Sequence, residues 1–421
     1  LDINQSISYL NSIDWRGSRL GLERMAALLA RLGNPQSGLR YIHITGTNGK
    51  GSTAAMLESI CRAAGYKTGL YTSPYINCFA ERIRVAGENI PDEALCRLTE
   101  RVRAASDAMP DHPTTFEMVT ALGFLYFAEQ ACEIVVLEVG MGGELDATNV
   151  IPAPEAAVFT NIGLDHMEYL GGTAEVIAAT KSKIVKPGCS AVSYQQTPSV
   201  RAVLEARCAE TGADFTEADF SKLCPTASSL DGQTFDYGEE TGVSIALLGE
   251  HQRRNAAVAL ETVGVLRKKG WDLPEEAVRK GMAQARWPAR FEILSREPLF
   301  ILDGGHNPQC MEALAACFEE NLGGRKAVFL VGVMADKDWE NMFAPIERIA
   351  SEYVAVEPNN PRRLPARELA AFLSREGKPA AAVPDVREAV ALALQKAGAE
   401  GVVCAAGSLF MAGEIRSCFG K

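Results

Sequence analysis

No two cysteines in the chain are spaced as Cys-x-x-Cys, and no Cys or His pair has the spacing of a zinc set. The eleven cysteines, Cys61, Cys78, Cys96, Cys132 and Cys189 among them, are scattered and odd in number. That usage lacks a disulfide framework and fits a reducing compartment with mostly small buried thiols. A Gly-x-Ser-x-Gly elbow is missing, which removes the hydrolase-type serine nucleophile. No run approaches the ~18 consecutive apolar residues of a membrane span. Residues 1–20 are polar and broken by Gly17, so no signal peptide is expected either. Positive charge is in deficit: 42 Lys and Arg against 53 Asp and Glu give a formal net charge of -11. This argues against a general nucleic-acid binder but allows a local basic pocket. There is no short tandem repeat and no low-complexity tract. The expectation is a cytoplasmic protein with neither a nucleic-acid nor a membrane partner, and a monomer by default.

What the chain does have is length and apolar content: 421 residues, 47% hydrophobic, enough for two or three domains. It is organised around Tyr41-Ile42-His43-Ile44-Thr45-Gly46-Thr47-Asn48-Gly49-Lys50-Gly51-Ser52-Thr53. The first four residues read as a buried parallel strand, and 54–64 as a helix. Strand, glycine turn and helix N-terminus form a phosphate cradle: backbone N–H groups approach the oxygens, the helix dipole favours negative charge, and Lys50 adds a cation. The strict Walker pattern wants glycine five residues before Gly49, where Ile44 stands, so this is a shortened variant.

Further apolar runs at 67–71, 134–139 and 156–160 read as strands, with helices over 2–33 (interrupted by a loop at 14–19), 91–109, 115–130 and 175–186. Residues 75–90 lack periodicity and read as a long functional loop with a β element. Residues 190–250 read as strand-rich, forming the sheet's far edge or a small side sheet, followed by helices over 252–268 and 274–285. A short break at 286–290 is a candidate hinge. The α/β pattern then restarts with strands at 299–302, 327–333, 352–356 and 401–405. The fold class is α/β: a P-loop-type doubly wound parallel sheet over residues 1–287, then a smaller Rossmann-like α/β domain over 288–421.

Ligands of open α/β sheets bind beyond the carboxyl ends of the strands. Lys50, Ser52, Ser73, Glu138, His166, Asp303 and His306 all stand at such ends and converge on one rim. Ser52, Ser73, Glu138 and His166 offer oxygen and imidazole donors suited to Mg²⁺, which takes few protein ligands and keeps its waters. His43, inside a strand, reads as packed rather than catalytic.

These residues resemble the folylpolyglutamate synthases and bifunctional dihydrofolate synthases of the Mur ligase superfamily. The matching pieces are Gly46-Thr47-Asn48-Gly49-Lys50-Gly51-Ser52, Thr72-Ser73-Pro74 with Glu81-Arg82-Ile83, and Glu138-Val139-Gly140-Met141-Gly142-Gly143 with Asp146-Ala147-Thr148-Asn149. Leu164-Asp165-His166, Leu170-Gly171, Asn255-Ala256 and Asp303-Gly304-Gly305-His306-Asn307-Pro308 follow in family order over almost the whole chain. The resemblance implies an ATP-dependent ligase that adds L-glutamate to the carboxylate of tetrahydrofolate through an acyl phosphate, with dihydropteroate as a second acceptor in bifunctional members. The rival is a Mur-type ligase acting on another carboxylate.

It also implies roles. Thr47, Asn48, Gly49, Lys50, Gly51 and Ser52 would hold ATP phosphates, with Asn255, Arg290 and Asp303 as further nucleotide contacts. Ser73, Glu138 and His166 would hold Mg²⁺, at two sites. Lys181 matches a carbamylated lysine, although Lys183 competes for that position. His306 would face the terminal phosphate, and Lys50, Lys181 and His306 would form the catalytic set. Arg82, Thr115, Phe116, Glu117 and Asp146 would lie on the substrate side, under the 73–84 loop. Tyr75, where many relatives carry His, leans toward extension of reduced folates.

Overall fold

The structure, a computed structural model, describes residues 1–12, 21–164 and 170–421. The 14–19 loop and His166 lie outside the described residues. Eight strands build the first sheet: β1 (Tyr41–Thr45), β2 (Thr68–Tyr71), β3 (Ile83–Val85), β4 (Glu88–Asn89), β5 (Ile134–Glu138), β6 (Ala156–Phe159), β7 (Ser190–Ser193) and β8 (Asp214–Glu217). Their spatial order is β4-β3-β2-β5-β1-β6-β7-β8. From β2 to β8 all neighbours are parallel; β3 and β4 add an antiparallel edge. β1, β2, β5, β6 and β7 are buried along their whole length. Covered on both faces, β1, β5 and β6 read as near-continuous apolar runs rather than alternating ones. Alternate residues serve opposite faces: Ile42, Ile44, Val136 and Val158 enter one core, while Tyr41, Tyr71, Val135 and Leu137 enter another.

A side sheet follows, antiparallel, of β9 (Leu223–Ser229), β10 (Gly232–Tyr237) and β11 (Glu240–Ile245). The last sheet has β12 (Glu292–Arg296), β13 (Leu299–Leu302), β14 (Ala327–Val331), β15 (Ala350–Ala355), β16 (Ala380–Ala382) and β17 (Val402–Ala406), in the order β12-β13-β17-β14-β15-β16. Only β12 runs antiparallel. Here too Ile301, Phe329 and Cys404 face one core, and Phe300, Leu330 and Val403 the other. The architecture is the expected one, two doubly wound α/β units. They are tied by buried Arg253, which donates to Glu320 at 2.8 Å and also bonds Gln233. All eleven cysteines are free, and no helix among the described residues is long and apolar enough to cross a membrane.

The structure corrects two sequence readings. Residues 190–250 are not strand-rich throughout. A 14-residue helix, Pro198–Thr211, joins β7 to β8, because parallel neighbours need a crossover connection. The helix expected over 175–186 spans Ala174–Ser182. Past it, the Lys186 ammonium donates to the carbonyls of Asn149 and Ile151.

His43 is packed, as expected. Thr148 Oγ1 donates to Asp146 Oδ1 at 2.6 Å, so it accepts from His43 Nε2–H at 2.8 Å. That leaves Nδ1 buried, unprotonated and without a partner among the described residues. Burial, aided by the Lys186 ammonium, pushes the imidazole pKa down to about 3. The unfolded chain binds this proton near pH 6.5 and the folded chain does not, so stability is full above that value and falls on acidification. Between pH 8 and pH 5 the site is expected to lose about 2 kcal/mol of unfolding free energy. Denaturant titrations of the wild type and His43→Gln should differ in pH slope by that amount, and parallel slopes would refute it.

Candidate active site

The phosphate loop leaves β1 at Thr45 and enters a helix, Lys50–Ala63. Gly49 caps that helix with φ of 92°, in the left-handed region that favours glycine. A Cβ there would also lie 2.6 Å from Asn255 Oδ1. The N-cap Gly49 makes no side-chain cap bond, so the first-turn N–H groups and positive dipole end are presented to the loop's concavity, an arrangement that binds anions. The loop is strapped to the end of β6: Thr47 N–H donates to Asn161 O at 2.7 Å, and Thr47 Oγ1 donates to Gly163 O at 2.9 Å. The Lys50 ammonium folds back on the carbonyls of Gly46 (3.1 Å) and Thr47 (3.3 Å). Trp287 lies flush against Gly51, where a Cβ would meet the indole at 2.7 Å.

The loop forms one wall of a cavity of about 520 Å³ that both units line. Thr47, Asn48, Gly49, Lys50, Gly51, Ser52, Ser73, Glu138, Lys181, Asn255, Arg290, Asp303 and His306 all border it. Residues separated by more than 250 positions thus meet: Ser73, Glu138 and Asp303 stand at or just past the carboxyl ends of parallel strands, while Lys50, Lys181 and Asn255 reach in from helices. Glu138 is buried at the end of β5 and accepts from Ser73 N–H at 3.1 Å. Burial raises its pKa, opposed by the Lys50 ammonium, the Ser73 N–H and Arg290. Such a carboxylate, buried among cations and donors, suits a hard metal ion. Lys181 is buried and donates to Gly46 O at 2.9 Å. Lys183, its rival, is the C-cap of the same helix and does not line the cavity. Asp303 accepts from Phe291 N–H (2.9 Å) and Gly305 N–H (2.7 Å), which fixes the entry to the second unit. His306 Nδ1–H donates to Gly304 O at 3.0 Å, which orients the ring.

The structure does not bring Arg82, Thr115, Phe116, Glu117 or Asp146 to the cavity wall. Glu117 closes a capping box with Thr114 and pairs with Arg24 at 3.2 Å. Asp146 accepts from Met141 N–H, Thr148 N–H and Thr148 Oγ1. Both carboxylates are thus engaged by neighbouring protein donors. Thr115 Oγ1 donates to Leu10 O, Phe116 packs over Gly140, and Arg82 stacks over Tyr75 and Phe79.

Several cavity residues escaped sequence reasoning. Gln252 Nε2 donates to Ser52 Oγ at 3.2 Å, and its Oε1 accepts from Asn255; the three-residue helical spacing from Asn255 was the available signal. His251 is half-buried beside it, and desolvation takes its pKa down to about 4 despite the nearby Asp303 carboxylate. Asn48 of the phosphate loop reaches the second unit: it donates to Gln309 Oε1 at 2.8 Å and accepts from Asn307 Nδ2 at 3.1 Å. An Asn before Pro at a helix start signals an N-cap, and Asn307 does accept from Cys310 N–H.

Family comparison agrees with this geometry. The Mur ligase middle domain model matches residues 44–263, and the Mur ligase glutamate ligase domain model matches residues 289–409. A folylpolyglutamate synthase of Lacticaseibacillus casei is 36% identical, over 99% of this chain and 98% of its own. A dihydrofolate synthase/folylpolyglutamate synthase of Bacillus subtilis is 34% identical, over 97% of this chain and 98% of its own. A solved FPGS-AMPPCP-folate complex superposes with a TM-score of 0.85 at 33% identity, over 99% of both chains. With a shortened phosphate loop, a buried strand-end glutamate and a second α/β unit closing one cavity, the chain belongs to the Mur ligase superfamily, in its folylpolyglutamate synthase/dihydrofolate synthase family.

Proposed function

We propose that this chain is an ATP-dependent ligase that joins the amine of L-glutamate to the free carboxylate of a tetrahydrofolate. The observation that carries the reading is one cavity shared by both units. A phosphate loop with Lys50 and the buried Glu138 and Lys181 share it with Arg290, Asp303 and His306 of the second unit. A carboxylate does not condense with an amine at neutral pH until it is activated. A folate carboxylate oxygen attacks the γ-phosphorus of ATP, ADP leaves, and an acyl phosphate forms. The glutamate amine attacks the acyl carbon, and the tetrahedral adduct expels phosphate. This chemistry asks mainly for positioning and charge neutralisation. The loop N–H groups and Lys50 hold the phosphates, Asn255 and Arg290 hold the nucleotide with Asp303, and His306 contacts the terminal phosphate. Closure of both units over the cavity keeps water from the acyl phosphate.

Ser73 and Glu138, with His166, would hold Mg²⁺, whose preference for few oxygen ligands fits a serine hydroxyl and one buried carboxylate. Bound there, it would neutralise phosphate charge. Lys181 would carry a carbamate; the N–H that remains after carbamylation can keep the bond to Gly46 O. ¹³C-bicarbonate should then give a carbamate carbon signal in the wild type that is absent from Lys181→Arg, and identical spectra would refute the modification. The unit boundary at 287/288 with a hinge over 286–290, a monomer and a cytoplasmic setting belong to the same reading, as does the substrate-side placement of the 73–84 loop.

The test is phosphate release from ATP plus amino acid with tetrahydrofolate, dihydropteroate or a muramyl peptide as acceptor. Release with tetrahydrofolate is expected. Release with dihydropteroate as well would show the second activity that the Bacillus subtilis relative's name carries. Release with the muramyl acceptor alone would overturn the folate reading.

A further inference from the structure

One carboxylate oxygen shapes the loop between β2 and β3. Glu81 is buried, and its Oε2 accepts from the backbone N–H groups of Ile76 (2.8 Å) and Asn77 (3.2 Å). Within the loop the Arg82 guanidinium lies 5.3 Å from the Tyr75 ring centroid and 5.5 Å from that of Phe79. The loop departs from Ser73 and Pro74 at the cavity wall. Its outer bend leaves the first unit: Ile76 packs against the apolar cluster of the second sheet, which includes Met411, Ala412 and Ile415.

The matching feature on the second unit is Gly413, inside the helix Ala412–Ser417. Its φ lies outside the left-handed region, so its backbone does not call for glycine, the poorest helix former after proline. Space calls for it. A Cβ on Gly413 would lie 2.2 Å from Ile76 O, 3.1 Å from the Ile76 carbonyl carbon and 3.3 Å from Asn77 Cα. All three are backbone atoms, so the clash cannot be relieved by a rotamer change; the loop itself would have to move.

We propose that the 73–84 loop is a clasp across the two units, seated on Gly413, and that Glu81 and Gly413 are positioning residues for the carboxylate acceptor. The part concerning the acceptor rests on the functional reading above. Glu81 gives the bend its shape, and Gly413 gives it a place to land. Acceptor affinity therefore depends on how the second unit is set against the first, although neither residue borders the cavity.

The test compares Gly413→Ala with Gly264→Ala, a helical glycine with nothing within 4 Å of an added Cβ. Phosphate release is measured with tetrahydrofolate and ATP varied in turn, beside melting temperature and hydrogen exchange of the 73–84 peptides. Gly413→Ala is expected to raise KM for the acceptor at least about tenfold while KM for ATP stays within about twofold. Its melting temperature should hold or rise, since alanine is the better helix former, and the 73–84 amides should exchange faster. Gly264→Ala should change neither KM. Glu81→Leu should reproduce the acceptor defect, and Glu81→Gln, which keeps a carbonyl acceptor, should largely restore it. Unchanged exchange and unchanged acceptor KM in Gly413→Ala would overturn the clasp, as would equal rises in both KM values with a lowered melting temperature. Faster exchange in Gly413→Ala with a wild type that never turns over tetrahydrofolate would uphold the clasp and overturn the acceptor assignment.

Discussion

Lys50→Ala is expected to lower turnover by about 10²–10³-fold, equivalent to about 2.7–4 kcal/mol of barrier, as the loss of one preorganised electrostatic contact does. The ammonium is held by carbonyls of its own loop, Gly46 and Thr47, so it stands ready beside the N–H groups of the helix start. It replaces no core contact, and the fold should survive. Lys50→Arg should recover little, because the guanidinium is a planar fork and not a compact point charge. Steady-state phosphate release, with a circular dichroism spectrum as the check on folding, measures the effect. Near-normal activity in a folded Lys50→Ala would remove the loop from the chemistry.

Glu138→Ala should cost turnover at least as much, and Glu138→Gln should separate charge from shape. The amide can still accept from Ser73 N–H, as the carboxylate does at 3.1 Å, yet it lacks the negative charge that a hard cation needs. Both variants should therefore require more Mg²⁺ for half-maximal rate. If Glu138→Gln retained wild-type turnover and Mg²⁺ dependence, the carboxylate would be structural, ordering only the start of the 73–84 loop.

What could be read from the sequence follows from which forces are local. Buried parallel strands announce themselves as apolar runs, and the strand at 299–302 is found with those bounds. The phosphate loop is legible because strand, glycine turn and lysine are contiguous. The edge strands β12 and β16 were missed. β12 is only partly covered, and β16 is three alanines, so neither carries a strong pattern. The Pro198–Thr211 helix was missed although Pro198 in its first turn and Gly212 at its end, with φ of 67°, mark both limits; only Val200, Leu204 and Cys208 are buried along it, a narrow stripe. Glu117 and Asp146 matched family positions, but whether a carboxylate is spent on local N–H groups is a matter of three-dimensional placement. The bonds from Asn48 to Asn307 and Gln309 span about 260 residues of chain, and no periodicity encodes such a meeting.

The central claim, that ATP activates the acceptor's carboxylate as an acyl phosphate, is tested most directly by isotope transfer. Tetrahydrofolate labelled with ¹⁸O in both of its carboxylates is ligated to L-glutamate, and the released nucleotide and phosphate are analysed by mass. The phosphate that leaves the tetrahedral adduct should carry one ¹⁸O per amide bond formed, with ADP unlabelled. Label in AMP, or unlabelled phosphate beside labelled amide product, would contradict it.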